Sequence, residues 1–157
     1  MAIQQVREYF RKWGRENDIM EFPVSSATVE LAARALGVEP ARIAKTLALR
    51  NNGEGALLIV TAGDVKIDAK KFKSEFGFKP RMLNEKETLF YTGHPVGGVC
   101  PFALAQEIPV YLDISLKRFA TVFPACGSSN SAIELTPDEL AEYARCQGWV
   151  DVAKAQI

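Results

Sequence analysis

The stretch Ile43-Ala44-Lys45-Thr46-Leu47-Ala48-Leu49, followed by Asn51-Asn52-Gly53-Glu54-Gly55 and then Ala56-Leu57-Leu58-Ile59-Val60, decides how the chain is read. Two β-type runs joined by a Gly/Asn cluster predict a hairpin. The second run is apolar throughout, as a strand buried on both faces would be. Lys45 is the exception in the first run. It either faces solvent on the polar side of the strand or enters a cleft, where a desolvated ammonium needs an anion such as phosphate or Asp113.

Upstream, Val6, Tyr9, Phe10 and Trp13 recur at helical spacing and stop near Gly14. Asp18 to Phe22 reads as extended before Pro23. Ser25 and Ser26 are N-cap candidates for a helix through Val29, Ala32, Ala33 and Leu36 that closes at Gly37. A turn begins at Pro40. Downstream, Asp68 caps a helix through Phe72 and Phe76 to Gly77, and Asn84 starts another through Leu89. Thr92 to Pro101 is a loop; Val110 to Ile114, Phe119 to Phe123 and Ala132 to Leu135 are strand candidates. Thr136-Pro137-Asp138-Glu139 opens a last helix towards Gly148 with a capping box and Pro at N1. Trp149 to Val152 adds a final strand. The expectation is one mixed α/β (α+β) domain over residues 1–157, with no repeat or linker.

A chain of 157 residues buries roughly 70% of its unfolded surface, enough for a core without staples. Formal net charge is zero, so any nucleic-acid contact rests on a local patch. Asp64 to Lys86 holds seven basic residues (Lys66, Lys70, Lys71, Lys73, Lys79, Arg81, Lys86) against Asp64, Asp68, Glu75 and Glu85. That excess is either a solvated helix face or a phosphate footprint. No apolar run approaches the roughly 18 residues of a membrane span. Met1 to Arg15 is interrupted by charge, unlike a signal peptide, so a cytoplasmic location without membrane contact is expected. Cys100, Cys126 and Cys146 are odd in number and lack a CxxC pair, which speaks against a disulfide framework or a zinc site.

Thr92-Gly93-His94-Pro95-Val96-Gly97-Gly98-Val99-Cys100-Pro101-Phe102 is the most unusual stretch. Glycine lets backbone approach a ligand, and proline stiffens the turn. Successive amides in such loops form nests for anions or developing oxyanions; an elaborate structural turn is the plain alternative. His94, the only histidine, is read as lining rather than as a base, since no Ser-His-Asp arrangement is visible. Cys100 is either a small buried residue or a nucleophile, the latter needing a nearby cation or helix terminus.

Ile43-Ala44-Lys45-Thr46-Leu47 followed by Thr92 to Phe102 resembles the YbaK family of aminoacyl-tRNA deacylases, relatives of the editing domain inserted in bacterial prolyl-tRNA synthetases. The resemblance extends from the Ser25 to Leu36 helix through Ile133-Glu134-Leu135 and the last helix. It implies a mixed, partly closed β-barrel flanked by helices, acting without a metal or organic cofactor on the acceptor end of aminoacyl-tRNA, with an aminoacyl-tRNA synthetase as a possible second partner. The family's essential lysine falls on Lys45, which would hold the phosphate or sugar of the terminal adenosine. Its GxxxP loop falls on Gly97-Gly98-Val99-Cys100-Pro101, whose amides would hold the aminoacyl carbonyl or position water. Many relatives carry Ser-Gly-Gly before the Ile-Glu-Leu strand; here Ala125-Cys126-Gly127-Ser128-Ser129 stands there, the serine missing or displaced to Ser128 or Ser129. The implied activity is trans-editing hydrolysis of tRNA mischarged with a small amino acid, the alternatives being a non-catalytic binding module or a Cys100 thiol enzyme. The expected catalytic residues are Lys45, Gly97 and Gly98. Around the substrate stand Thr46, Phe22, Thr28, Gly93, His94, Pro95, Val96, Val99, Cys100, Pro101, Asp113, Ser128 and Ser129, with Val29 and Phe102 as further wall candidates.

Overall fold

Val6 and Phe10, one helical turn apart, are fully buried on the inner face of α1 (Ala2–Phe10). The computed structural model describes residues 2–156; Met1 and Ile157, the ends of the expected 1–157 span, lie outside the described residues. Gly14, left-handed at φ 67, closes the 3-10 turn Arg11–Trp13 that prolongs α1. After β1 (Met20–Glu21) comes α2 (Val29–Leu36). Its cap is Thr28, whose side chain accepts from the Leu31 amide, and not Ser25 or Ser26. The Ser25 hydroxyl instead accepts from the Ala27 amide in a local turn.

β2 (Ile43–Arg50) and β3 (Ala56–Ala62) form the expected antiparallel hairpin, with Lys45 opposite Thr61 and Thr46 opposite Val60. All seven residues of β3 are buried. One face, with Leu58 and Val60, meets a core that includes Val6, Phe10, Phe102 and Leu112. The other, with Leu57 and Ile59, meets Phe72, Val150 and Val152. Each large apolar side chain so enclosed contributes about 1.5–3 kcal/mol of burial.

Next follow β4 (Val65–Ile67), α3 (Ala69–Phe76) capped by Asp68, and α4 (Glu85–Thr92) capped by Asn84. α4 runs on to Thr92 and ends at left-handed Gly93, farther than Leu89. β5 (Val110–Asp113) precedes a 3-10 turn at Ile114–Arg118. β6 (Phe123–Pro124) and β7 (Ser131–Ala132) are shorter than the apolar runs suggested and are displaced from them. Val122 and Leu135 still bridge beyond them. α5 (Pro137–Ala144) starts in the Thr136 capping box but stops at Arg145, which takes the left-handed cap itself, short of Gly148. β8 (Gly148–Val150) and β9 (Ala153–Ala155) complete the chain.

The main sheet has the order β6-β2-β3-β5-β8, antiparallel at β2–β3 and parallel elsewhere. Two-stranded ribbons, β1–β7 and β4–β9, flank it. Among the described residues no pairing joins β6 to β8, so closure of the mixed barrel is partial. Edge position explains how β6 tolerates Pro124.

Candidate functional site

Residues from α2, β2, the 82–88 segment, the loop after α4 and the β6–β7 region enclose a pocket of about 260 Å³. That lies just below the usual 300–1,000 Å³ of small-molecule sites, so only a small group enters fully.

Lys45 stands at this pocket half-buried, its Nζ donating to the Val65 carbonyl. Burial pushes its pKa down, while the carboxylates of Asp64 and Glu30 pull it back towards the charged form. Arg118 grips Asp64 with two bonds of 3.0 and 2.5 Å and holds that carboxyl below its ordinary range. Lys45 itself forms no ion pair among the described residues. An ammonium has three donors; one goes to Val65, leaving capacity for an anion. Beside it, the Thr46 hydroxyl is buried at the pocket without a hydrogen-bond partner.

Opposite is the Gly/Pro loop, of which Val96, Gly97 and Val99 line the pocket. The Gly98 amide donates to Pro95 at 3.0 Å, and the Gly98 carbonyl accepts from the Gly127 amide at 3.0 Å. A Cβ on Gly98 would stand 2.6 Å from the Ser128 nitrogen. Gly98, expected as a catalytic donor, is therefore turned away and packed. The amides of Gly97 and Val99 have no protein acceptor among the described residues, which suits them to a carbonyl oxygen that gains charge.

Of the other expected residues, Thr28 and Val29 line the pocket; Phe22 does not, its amide and carbonyl being engaged by Asn130. Asp113 is not the partner of Lys45: its carboxylate accepts from the Ser115 and Val152 amides and ties β5 to the chain beyond β8. His94 is fully buried and lines nothing, because its Nε2 bonds the Phe102 carbonyl at 2.7 Å. A carbonyl only accepts, so Nε2 carries the proton. Cys100 is fully buried 3.4 Å from that nitrogen, its thiol pushed up to about 12 by burial, and is an uncharged core residue. Gly93, Pro95, Pro101 and Phe102 lie outside the lining. Ser128 and Ser129 act behind it: Ser128 Oγ bonds Ser131 Oγ at 2.8 Å, and the Ser129 carbonyl accepts from Ser26 at 2.6 Å.

The sequence reading missed Ser26, Ala44, Ala48, Met82, Thr88 and Ser131 among the lining. Ala44, Thr46 and Ala48 alternate along β2 on one face, and small residues at that period leave room beside a strand; this signal was available. Met82 and Thr88 arrive from a distant segment without one.

Burial lowers the pKa of His94 from its ordinary 6.5. The unfolded chain then binds a proton that the folded chain refuses, so this contribution to stability is present above pH 6.5 and lost as pH falls towards the folded value. Thermal unfolding across pH 7.5 to 5 is expected to show a falling Tm, flattened in His94→Gln. A profile unchanged by that substitution would refute the assignment. The lowered carboxyls Asp64 and Asp68 titrate further into acid.

No helix among the described residues is long and apolar enough to cross a membrane. No group of three His, Cys, Asp or Glu side chains among them is placed to hold a metal.

The mixed fold, with a lysine on β2 facing a Gly/Pro loop, is that of the YbaK-like editing domains. Residues 24–143 match the family described as the aminoacyl-tRNA editing domain, and the chain belongs to that family. It is 59% identical over 154 residues to the uncharacterized protein YwhH of Bacillus subtilis, covering 98% of each chain. It is 31% identical over 114 residues to EbsC of Enterococcus faecalis, named provisionally as a Cys-tRNA(Pro)/Cys-tRNA(Cys) deacylase, covering 72% of this chain and 70% of that one. A crystal structure described provisionally as a trans-editing enzyme for prolyl tRNA synthetase superposes with a TM-score of 0.87 at 28% identity, covering 98% of each chain.

Proposed function

We propose that the chain is a freestanding cytoplasmic deacylase that hydrolyses the ester of tRNA mischarged with a small amino acid. One observation carries this reading: Lys45, a cation with spare donors, borders the same small pocket as the unspent amides of Gly97 and Val99. Lys45 holds a phosphate or the sugar of the terminal adenosine. The loop amides receive the aminoacyl carbonyl and stabilise its oxyanion. Water attacks the carbonyl carbon, with the neighbouring ribose hydroxyl as proton acceptor. The ester C–O bond then breaks, the ribose oxygen takes the proton, and free amino acid and tRNA part. An aminoacyl ester is already activated, so no protein nucleophile is required. Family membership and the deacylase names of relatives support the reaction class.

The test is deacylation of a panel of radiolabelled aminoacyl-tRNAs with small and mid-sized amino acids, by wild type and Lys45→Ala. Hydrolysis of a subset, lost in the variant, is expected. Binding without hydrolysis by wild type would make the domain a non-catalytic module for aminoacyl-tRNA or a synthetase.

Pocket size separates substrates weakly, since one methylene is worth about 1–3 kcal/mol. The orphan Thr46 hydroxyl adds a second criterion. Leaving a buried hydroxyl unpaired costs about 1–3 kcal/mol, and a substrate hydroxyl or thiol relieves that. Thr46→Val is expected to shrink the preference for seryl- over alanyl-tRNA by about 1–2 kcal/mol, roughly 5–30-fold. An unchanged ratio of the two kcat/KM values would count against this role.

A further inference from the structure

A second cavity, of about 490 Å³, shares no lining residue with the first. Leu104, Ile108, Val110 and Ala144 give it an apolar floor. Gln106, Glu107, Arg145 and Gln147 line it and are exposed, while the half-buried Tyr9 has its hydroxyl spent on the Tyr143 carbonyl. Arg145 makes no ion pair or side-chain hydrogen bond among the described residues; its guanidinium stands 5.8 Å from the centre of the Tyr9 ring. Glu107 is likewise without an ion-pair partner among the described residues. Three non-glycine residues among those described have positive φ, and two of them, Ala103 at 52° and Arg145 at 51°, line this cavity. Arg145 holds that conformation as the cap of α5; Ala103 holds it in the loop that lines the cavity, where a residue with a Cβ keeps it only if its surroundings fix it.

The arrangement selects its ligand by charge. One guanidinium, one carboxylate and two carboxamides over an apolar floor complement a zwitterion with an apolar body. We infer that this cavity is a binding site for a free α-amino acid. Its carboxylate pairs with Arg145, its ammonium with Glu107, and its side chain lies on Leu104, Ile108 and Val110. A phosphate ester would meet Arg145 but be repelled by Glu107. The volume exceeds that of the Lys45 pocket, so mid-sized to large apolar side chains fit here. One loop borders both cavities, with Val96, Gly97 and Val99 on the first and Pro101 and Ala103 to Ile108 on the second. The second half is tied to the end of α4 by the Ala105 and Gln106 amides donating to the Thr92 and Tyr91 carbonyls at 3.1 and 3.0 Å. The site stands independently of the deacylase reading.

The test is calorimetric titration of the full chain with L-leucine, L-phenylalanine, N-acetyl-L-leucine, L-leucinamide and AMP. Wild type and Lys45→Ala are expected to saturate alike with leucine or phenylalanine at millimolar concentration. N-acetylation or amidation of the ligand, Arg145→Gln and Glu107→Gln each weaken binding by roughly tenfold or more, the loss of a charged hydrogen bond. The two ligand derivatives keep the test valid if either variant folds poorly. Absence of saturation by either amino acid, AMP binding as well as leucine, or loss of leucine binding in Lys45→Ala would each overturn the inference.

Discussion

Lys45→Ala is expected to lower kcat/KM for every hydrolysed aminoacyl-tRNA by roughly 10²-fold or more, with Tm within about 2–4 °C of wild type. A hydrogen bond to a charged group contributes about 1.5–3 kcal/mol, and each 1.36 kcal/mol is tenfold in rate. Misplacement of the ester then adds its own loss, because a displacement of about 1 Å is worth about 10²-fold. The fold loses little: the bond from Nζ to the Val65 carbonyl is worth about 1 kcal/mol, or about 2–4 °C in a domain of this size. Relief of the desolvation that lowers the Lys45 pKa acts in the opposite direction. Lys45→Arg keeps the charge but replaces a compact ammonium by a planar fork, so only partial activity returns. Full activity in Lys45→Ala, measured by loss of label from tRNA, would remove this residue from the mechanism.

Gly98→Ala should damage both activity and stability. The new methyl would stand 2.6 Å from the nitrogen, 2.7 Å from the carbonyl carbon and 2.8 Å from the Cα of Ser128. All three are backbone atoms and cannot swing aside. The loop must lift from the 127–129 segment, straining the bond from the Gly127 amide to the Gly98 carbonyl and moving the Gly97 and Val99 amides with it. Overpacking of this kind costs about 1–3 kcal/mol, and loss of a single oxyanion donor costs about 10²–10³ in rate. Gly148→Ala is the control. Gly148, like Gly98, is outside the left-handed region, but nothing lies within 4 Å of an added Cβ, so activity and stability should hold. Urea unfolding and deacylation of both variants decide the matter; equal behaviour of the two would mean that the contact with Ser128 does not position the loop.

Local chemistry made much of the fold legible. Asp68, Asn84 and Thr136 cap the helices their positions announce, since a side-chain acceptor before an apolar period has few other uses. Thr28 was harder to single out, because Ser25 and Ser26 offer the same chemistry within three residues; only the direction of the chain into α2 decides among them. The end of α5 was hidden for a different reason. Arg145 adopts a left-handed cap that glycine normally supplies, and composition carries no mark of that. At the site, residue types announced the lysine and the loop, but not which loop residues face inward. That division depends on Ser128, thirty residues away, against which Gly98 is pressed. Asp113 illustrates the same limit: a buried carboxylate close to a lysine in the imagined sheet is occupied by two amides in the real one.

The turn between β2 and β3 also governs chemistry at a distance. Asn52, Gly53 and Gly55 all have positive φ, and this bend aligns Lys45 with Thr61 and Thr46 with Val60. Side chains of a strand alternate between faces, so a slip of one residue would send Lys45 and Thr46 each to the face the other now holds. The cation would then leave the side on which an anion is to be held, and the orphan hydroxyl the side on which it now lies. Turn length is thus a determinant of catalytic competence: deleting one residue there would silence the enzyme without touching any group that meets the substrate.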